Sequence, residues 1–181
     1  MEEQKYCYKY PRPAVTTDCV IFAFDGNKLQ VLLVERGREP YKGHWAFPGG
    51  FLNMDEDAGE GARRELEEET GLQTVYVEQL HTFTEVERDP RGRVISIAYY
   101  ALVRMEDVKG GDDAAQARWF AVNEIPTLAF DHDRILRAAL LRLYELLRFR
   151  LSGFTRLLDI FSVDELQSLC GLLQAYVMES K

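Results

Sequence analysis

The stretch from Gly50 to Leu72, GFLNMDEDAGEGARRELEEETGL, leaves the chain little freedom of local structure. Asp57, followed three residues later by Glu60, is a capping-box pair. In such a pair each side chain accepts from the other residue's backbone N–H, so it predicts a helix start. Gly71 supplies the left-handed residue that ends a helix, leaving about four turns between them. At about 100° per residue, Ala58, Ala62 and Leu66 share an apolar stripe, and Glu65 and Glu69 fall within about 40° of each other beside it. Glu68 lies on the flank. Arg64 is one turn from both Glu60 and Glu68 and can pair with either, whereas Arg63 and Glu67 point to the far side.

Three glutamates converging at the edge of a core repel one another by as much as an i,i+4 pair attracts, and by more once desolvated. A divalent cation removes that cost. One or two carboxylates, completed by waters and a phosphate, form the oxygen shell that Mg²⁺ prefers. Taken alone, a Glu67-Glu68-Glu69 run reads more readily as a solvated acidic helix face than as a metal site.

The full spacing resembles the signature of the Nudix hydrolases: glycine, five residues, glutamate, seven residues, Arg-Glu, an aliphatic, any residue, Glu-Glu, any residue, glycine and an aliphatic. Gly50, Glu56, Arg64, Glu65, Leu66, Glu68, Glu69, Gly71 and Leu72 fill all nine specified positions. The preceding Trp45-Ala46-Phe47-Pro48-Gly49 is similar to that family's usual entry. The resemblance implies an enzyme that hydrolyses a nucleoside diphosphate linked to another moiety, using Mg²⁺ or Mn²⁺. It implies Glu65 and Glu69 as principal metal ligands, Glu68 as a helper and the Gly49 carbonyl as a further ligand. Arg64 would orient the carboxylates and Glu56 would support it, so that Glu65, Glu68, Arg64 and Glu56 make up the catalytic set. The general base would be a glutamate of the cluster or a carboxylate from a later loop, with Glu85, Asp112 and Asp113 as candidates.

The chemistry is coherent. A diphosphate resists attack through its own negative charge, and cations neutralise it while lowering the pKa of a bound water. A carboxylate then serves as base.

The 181 residues suit one domain with an appendage, and 46% hydrophobic content is ample for a core. A net charge of −8 argues against a nucleic-acid or anionic-lipid surface. Phosphates remain possible ligands if a metal carries the positive charge. Cys7, Cys19 and Cys170 have no metal spacing and read as buried or inert thiols, which implies a reducing interior. No secretory signal or membrane span is evident, so a cytoplasmic protein is expected.

The N-terminal residues, with Pro11 and Pro13, suggest an extended lead-in. Ala14 to Phe24 and Leu29 to Val34 read as a hairpin turned at Asp25-Gly26-Asn27. Gly49 and Gly50 allow close backbone approach to a metal or phosphate. Trp45 could stack a nucleobase or simply pack at the core edge. Val75 to Val86 and Arg93 to Met105 have strand composition and are joined by a charged loop. There Arg88, Arg91 and Arg93 could hold a substrate phosphate or could be solvated partners of the acidic surface. Gly110 to Asp113 is a turn into a strand that ends before Pro126.

Asp131 reads as the N-cap of a helix of about 18 residues with leucines on more than one stripe. His132 at its start suits a capping or substrate-edge role. The fold class implied is α+β, the Nudix fold: a mixed β-sheet sandwiched between helices, with a short helical C-terminal extension. The division expected is 1–128 for the Nudix domain and 129–181 for the extension. The run Ala129 to Leu136 is similar to words in ADP-ribose pyrophosphatase-like proteins and in Nudix-related transcription regulators that carry a C-terminal winged helix. ADP-ribose, cleaved to AMP and ribose 5-phosphate, is thus the substrate implied.

Ser162 with Glu165 forms a second capping box, opening one helix through about Val177. Residues 151–181 hold two basic side chains, Arg156 and Lys181, against four acidic ones, Asp159, Asp164, Glu165 and Glu179. DNA binding needs clustered cations, so DNA is not expected as a partner. The extension is expected to be a shortened remnant of the regulators' appendage used in packing or in a homodimer. An ADP-ribose-sensing regulator and a non-catalytic nucleotide-binding protein are the rival functions.

Overall fold

In the computed structural model, residues 8–73, 76–105 and 114–179 are described. Strand β1 (Ala14–Phe24) is built from β-branched and aromatic residues that alternate between two cores. Val20, Phe22 and Phe24 enter one, and Cys19 and Ile21 the other. A strand covered on both faces needs such a nearly unbroken apolar run. The turn after it is set by the Asp25 carboxylate, whose Oδ1 accepts from the N–H groups of Asn27 and Lys28 (2.8 and 2.7 Å). The chain returns as β2 (Leu29–Arg36) with Phe22 opposite Val31.

Short strands β3 (Trp45–Ala46) and β4 (Gly49–Phe51) precede helix α1 (Ala58–Thr70). Then come β5 (Glu78–Phe83), β6 (Val94–Val103) and β7 (Ala114–Ala121). The sheet order is β3-β2-β1-β6-β5, with β4 added to β1 and β7 to β2. Only the β1–β6 pairing is parallel among these, so the sheet is mixed. One edge of β1 is shared: β2 pairs with its residues 22–24 and β4 with residues 16–18. This fork places Gly49 and Gly50 opposite Asp18 and Thr17.

Helix α1 covers one face through Ala62 and Leu66. Helices α2 (His132–Phe149), α3 (Phe154–Leu158) and α4 (Val163–Glu179) cover the other. The α+β sandwich expected from the sequence is therefore the architecture found. Among the described residues no helix is long and apolar enough to cross a membrane.

Three local outcomes differ from the expectations. The strand expected to run from Val75 to Val86 is shorter: β5 ends at Phe83, and Val75 lies outside the described residues. After Phe83 the Thr84 and Glu85 carbonyls turn to the Arg93 guanidinium (2.9 and 3.1 Å) instead of a neighbouring strand. Asp131 occupies the N-cap position, but its side chain makes no capping bond, because Arg88 takes both its oxygens. The tail also contains the short α3, entered through Gly153 in the left-handed region (φ 98°).

The second capping box does form: Ser162 and Glu165 exchange hydrogen bonds, and Glu165 also receives Arg104 (2.6 and 3.0 Å). Leu166, Leu169 and Leu173 of α4 pack into the same core as α2 and the sheet. Leu169 is fully buried, so Leu169→Ala is expected to cost about 2–5 kcal/mol of stability. Urea unfolding followed by circular dichroism checks this, and an unchanged midpoint would show that the tail does not share the core.

Candidate active site

The acidic helix is shaped by its own ends. Asp57 accepts from the Glu60 N–H (2.8 Å) and Glu60 returns to the Asp57 N–H (2.9 Å). At the other end Gly71 is left-handed (φ 73°), with its N–H on the Glu67 carbonyl. These caps set the rotation of α1, and its apolar stripe then fixes which glutamates face the β4 edge.

Arg64 is the hub of that face. Its Nε and Nη2 donate to both oxygens of Glu56 (2.9 and 2.6 Å), its Nη1 to Glu65 and Glu68 (2.8 and 3.1 Å), and its Nη2 also to the Phe51 carbonyl (3.2 Å). Of the two sequence-expected partners, Glu68 is used, while Glu60 is committed to the cap. The Arg64 hydrogen bonds, helped by the Asn53 N–H, hold Glu56 down at about 2. They also keep Arg64 above its ordinary range. Burial pushes Glu65 up despite Arg64.

Glu69 is the most perturbed carboxylate. It is largely buried, and burial drives its pKa up to about 8. The Gly49 N–H, 2.9 Å from Oε2, opposes the rise, while Glu65 and Asp18 add to it. The glycines explain the closeness: a Cβ on Gly49 would strike the Thr17 carbonyl, and one on Gly50 would strike the Glu65 carboxylate. Gly50→Ala therefore displaces a flexible side chain and leaves the backbone alone. It should cost turnover about tenfold or more with little change in melting temperature; a large melting shift with full activity would refute this.

These residues border a cleft of about 550 Å³, large enough for a nucleotide-sized ligand. Its lining includes Glu65, Glu68, Glu69, Gly49, Arg64, Arg88 and Arg91. Glu56 is behind Arg64, outside the lining. Trp45 and Arg93 are not brought to the cleft. Trp45 packs edge-on against Phe120 (4.6 Å), and Arg93 holds two loop carbonyls. Arg88 borders the cleft but is buried, with both Asp131 oxygens at 3.1 and 2.7 Å and Asp18 at 3.8 Å. Glu85 pairs with Arg134 away from this cleft, and Asp112 and Asp113 lie outside the described residues.

Several cleft residues were not foreseen as site residues: Asp18, Arg36, Phe51, Asp89 and Phe130. Asp18 accepts from Ser96 and lies 3.4 Å from His132 Nε2. The Nδ1 atom of His132 accepts from the Phe47 N–H (3.0 Å), so Nε2 carries the hydrogen and faces Asp18. Burial lowers the His132 pKa, partly offset by Asp18. His132 thus keeps a neutral, positioning form at the floor of the cleft. No sequence spacing announced this group, since its members come from β1, β2, β4, the β5–β6 loop and the approach to α2.

Among the described residues no three His, Cys, Asp or Glu side chains already stand at metal-holding distance; Arg64 separates Glu65 from Glu68. The donor set nonetheless suits a hard divalent cation. It offers carboxylate oxygens, one of them on a glutamate whose pKa burial pushes up and neighbouring carboxylates push further, beside glycines that admit close approach.

The sequence profile of the NUDIX domain matches residues 12–139. The chain belongs to the Nudix family. Its Nudix box is thus the α1 segment described above. The chain is 42% identical over 128 residues to an ADP-ribose pyrophosphatase of Methanocaldococcus jannaschii, covering 71% of this chain and 73% of that protein. It is 32% identical over 177 residues to the ADPR responsive transcriptional repressor NtrR of Acinetobacter baylyi, covering 95% of this chain and 71% of the repressor. The NUDIX domain of Shewanella oneidensis NrtR, solved in complex with ADP ribose, superposes with a TM-score of 0.69 at 33% identity, over 74% of this chain and 90% of that one.

Proposed function

We propose that this Nudix chain is a divalent-metal-dependent pyrophosphohydrolase that cleaves ADP-ribose to AMP and ribose 5-phosphate. The observation that carries this is the cleft wall on which α1 presents Glu65, Glu68 and Glu69 beside Gly49 and Gly50. The 42% identity to an ADP-ribose pyrophosphatase supports the substrate.

Glu65 and Glu69 would hold Mg²⁺ or Mn²⁺, with Glu68 and the Gly49 carbonyl assisting. When bound, the cation neutralises the diphosphate and lowers the pKa of a water. Arg64, pinned by Glu56, orients Glu65 and Glu68. The Asp18–His132 pair and the Phe47 N–H steady the strand that presents Gly49. In the reaction a water oxygen bonds to one phosphorus while the bridging P–O bond breaks. The water's proton passes to a carboxylate base, and the other phosphate leaves as a monoester.

A second function is supported by the 32% identity to a transcriptional repressor over 95% of this chain. In that case the cleft would sense ADP-ribose. Incubation with ADP-ribose and a panel of other diphosphates, with Mg²⁺ or Mn²⁺ and product identification, decides: release of AMP and ribose 5-phosphate supports the hydrolase. Tight ADP-ribose binding without cleavage, together with a gel shift on promoter DNA, would favour the regulator.

We further propose a cytoplasmic homodimer that does not bind DNA, and a functional boundary near residue 128 between the catalytic part and a packing extension. Light scattering of the purified chain tests the dimer.

A further inference from the structure

Beneath the acidic helix lies a hydroxyl that the metal-free chain leaves unused. Thr17 of β1 is fully buried, and among the described residues its Oγ1 is the one buried side-chain oxygen or nitrogen with no hydrogen-bond partner. Buried polar atoms are nearly always paired, because an unpaired one gives up its bonds to water and gains none in exchange. Valine has the same shape and the same preference for strands. Neither packing nor strand propensity therefore calls for a hydroxyl at this position.

The sheet register sets the face on which the hydroxyl lies. Side chains alternate along a strand, so Thr17 shares the face of Cys19, whose Sγ donates to the Ala62 carbonyl of α1 (3.4 Å). Thr17 is also the partner of Gly50, and directly opposed residues of antiparallel strands project to the same face with their Cβ positions about 5 Å apart. The Cβ that Gly50 lacks would land on the Glu65 carboxylate. Thr17 and that carboxylate are thus neighbours in the layer between β1 and α1.

On the helix side Glu65 receives Arg64 Nη1, 2.8 Å from Oε1. A guanidinium and a divalent cation that share one carboxylate repel each other. A neutral hydroxyl can orient the same carboxylate without opposing the cation. Resting on the metal dependence proposed above, we infer that Thr17 is a positioning residue, unbonded in the metal-free chain and donating to Glu65 when a divalent cation is bound. Hydrogen bonds of this kind to metal-ligating carboxylates fix their orientation and tune metal affinity.

The role has a two-sided signature, since the hydroxyl weakens the metal-free fold and strengthens metal binding. Thr17→Val should raise the melting temperature of the full chain in chelator, because it removes an unpaired buried polar atom. The same variant should bind Mn²⁺ about tenfold more weakly, as followed by the electron paramagnetic resonance signal of the free ion. Thr17→Ser, which keeps the hydroxyl, should bind Mn²⁺ as the wild type does. Wild-type affinity in Thr17→Val, a lower melting temperature for it in chelator, or an equal loss of affinity in Thr17→Ser overturns the inference while the hydrolase stands. A wild type that binds no Mn²⁺ overturns the proposed metal dependence and this role with it.

Discussion

Glu69→Gln is expected to lower turnover by at least about 100-fold, since even partners one shell removed from a metal change affinity or activity by 10–100-fold. The same substitution should leave the metal-free protein as stable as the wild type or more so. In the native chain burial raises the Glu69 pKa from 4.5 to about 8. Between those values the folded state binds more protons than the unfolded one, so stability falls as pH rises through that window and levels off above it. Below about 4.5 both states are protonated and the penalty vanishes. Glutamine carries no charge to desolvate, so its advantage should grow from pH 5 to pH 8. Thermal melts in a chelator across that range, paired with assays in Mg²⁺, read both halves. A destabilised variant with intact turnover would remove Glu69 from the site.

Arg88→Ala should produce the largest loss of stability of any change at the cleft. Its guanidinium is buried and faces Asp131 at 2.7 Å and Asp18 at 3.8 Å. Removing it leaves two shielded carboxylates without their cation, near Glu69, and breaking one side of a buried pair typically costs about 3–5 kcal/mol. Pairing Arg88→Met with Asp131→Asn should recover part of that, because only one buried carboxylate is then left without its cation. Urea midpoints at constant slope measure the difference. A loss no larger than that of a surface ion pair would mean that the cluster is solvated in solution.

The contrast between α1 and this cluster explains what could be read from the sequence. The helix, its caps, the placement of Ala62, Leu66 and the glutamates, and the pairing of Arg64 with Glu68 are separated by a turn or two, where periodicity and capping rules apply. The β1–β2 hairpin was equally local. Arg88, Asp131 and Asp18 come together across 43 and 70 residues of chain, set by strand register and loop path that no local pattern encodes. Arg88, Arg91 and Arg93 share one loop and one composition, yet the first is buried, the second stacks on Phe51, and the third ties down loop carbonyls. Trp45 had two open readings, and its packing against Phe120 came from β7, a distant strand. The short α3 had no cap to announce it beyond Gly153.

Helix α2 has its first residue, His132, at the floor of the cleft and its last leucines in the core shared with α4. At 1.5 Å per residue its 18 residues form a stiff rod of roughly 27 Å. Tyr176 near the end of α4 lines the same surface hollow as Asp133 and Leu136 near the rod's beginning. The tail and the cleft histidine are therefore fastened to one and the same rigid element.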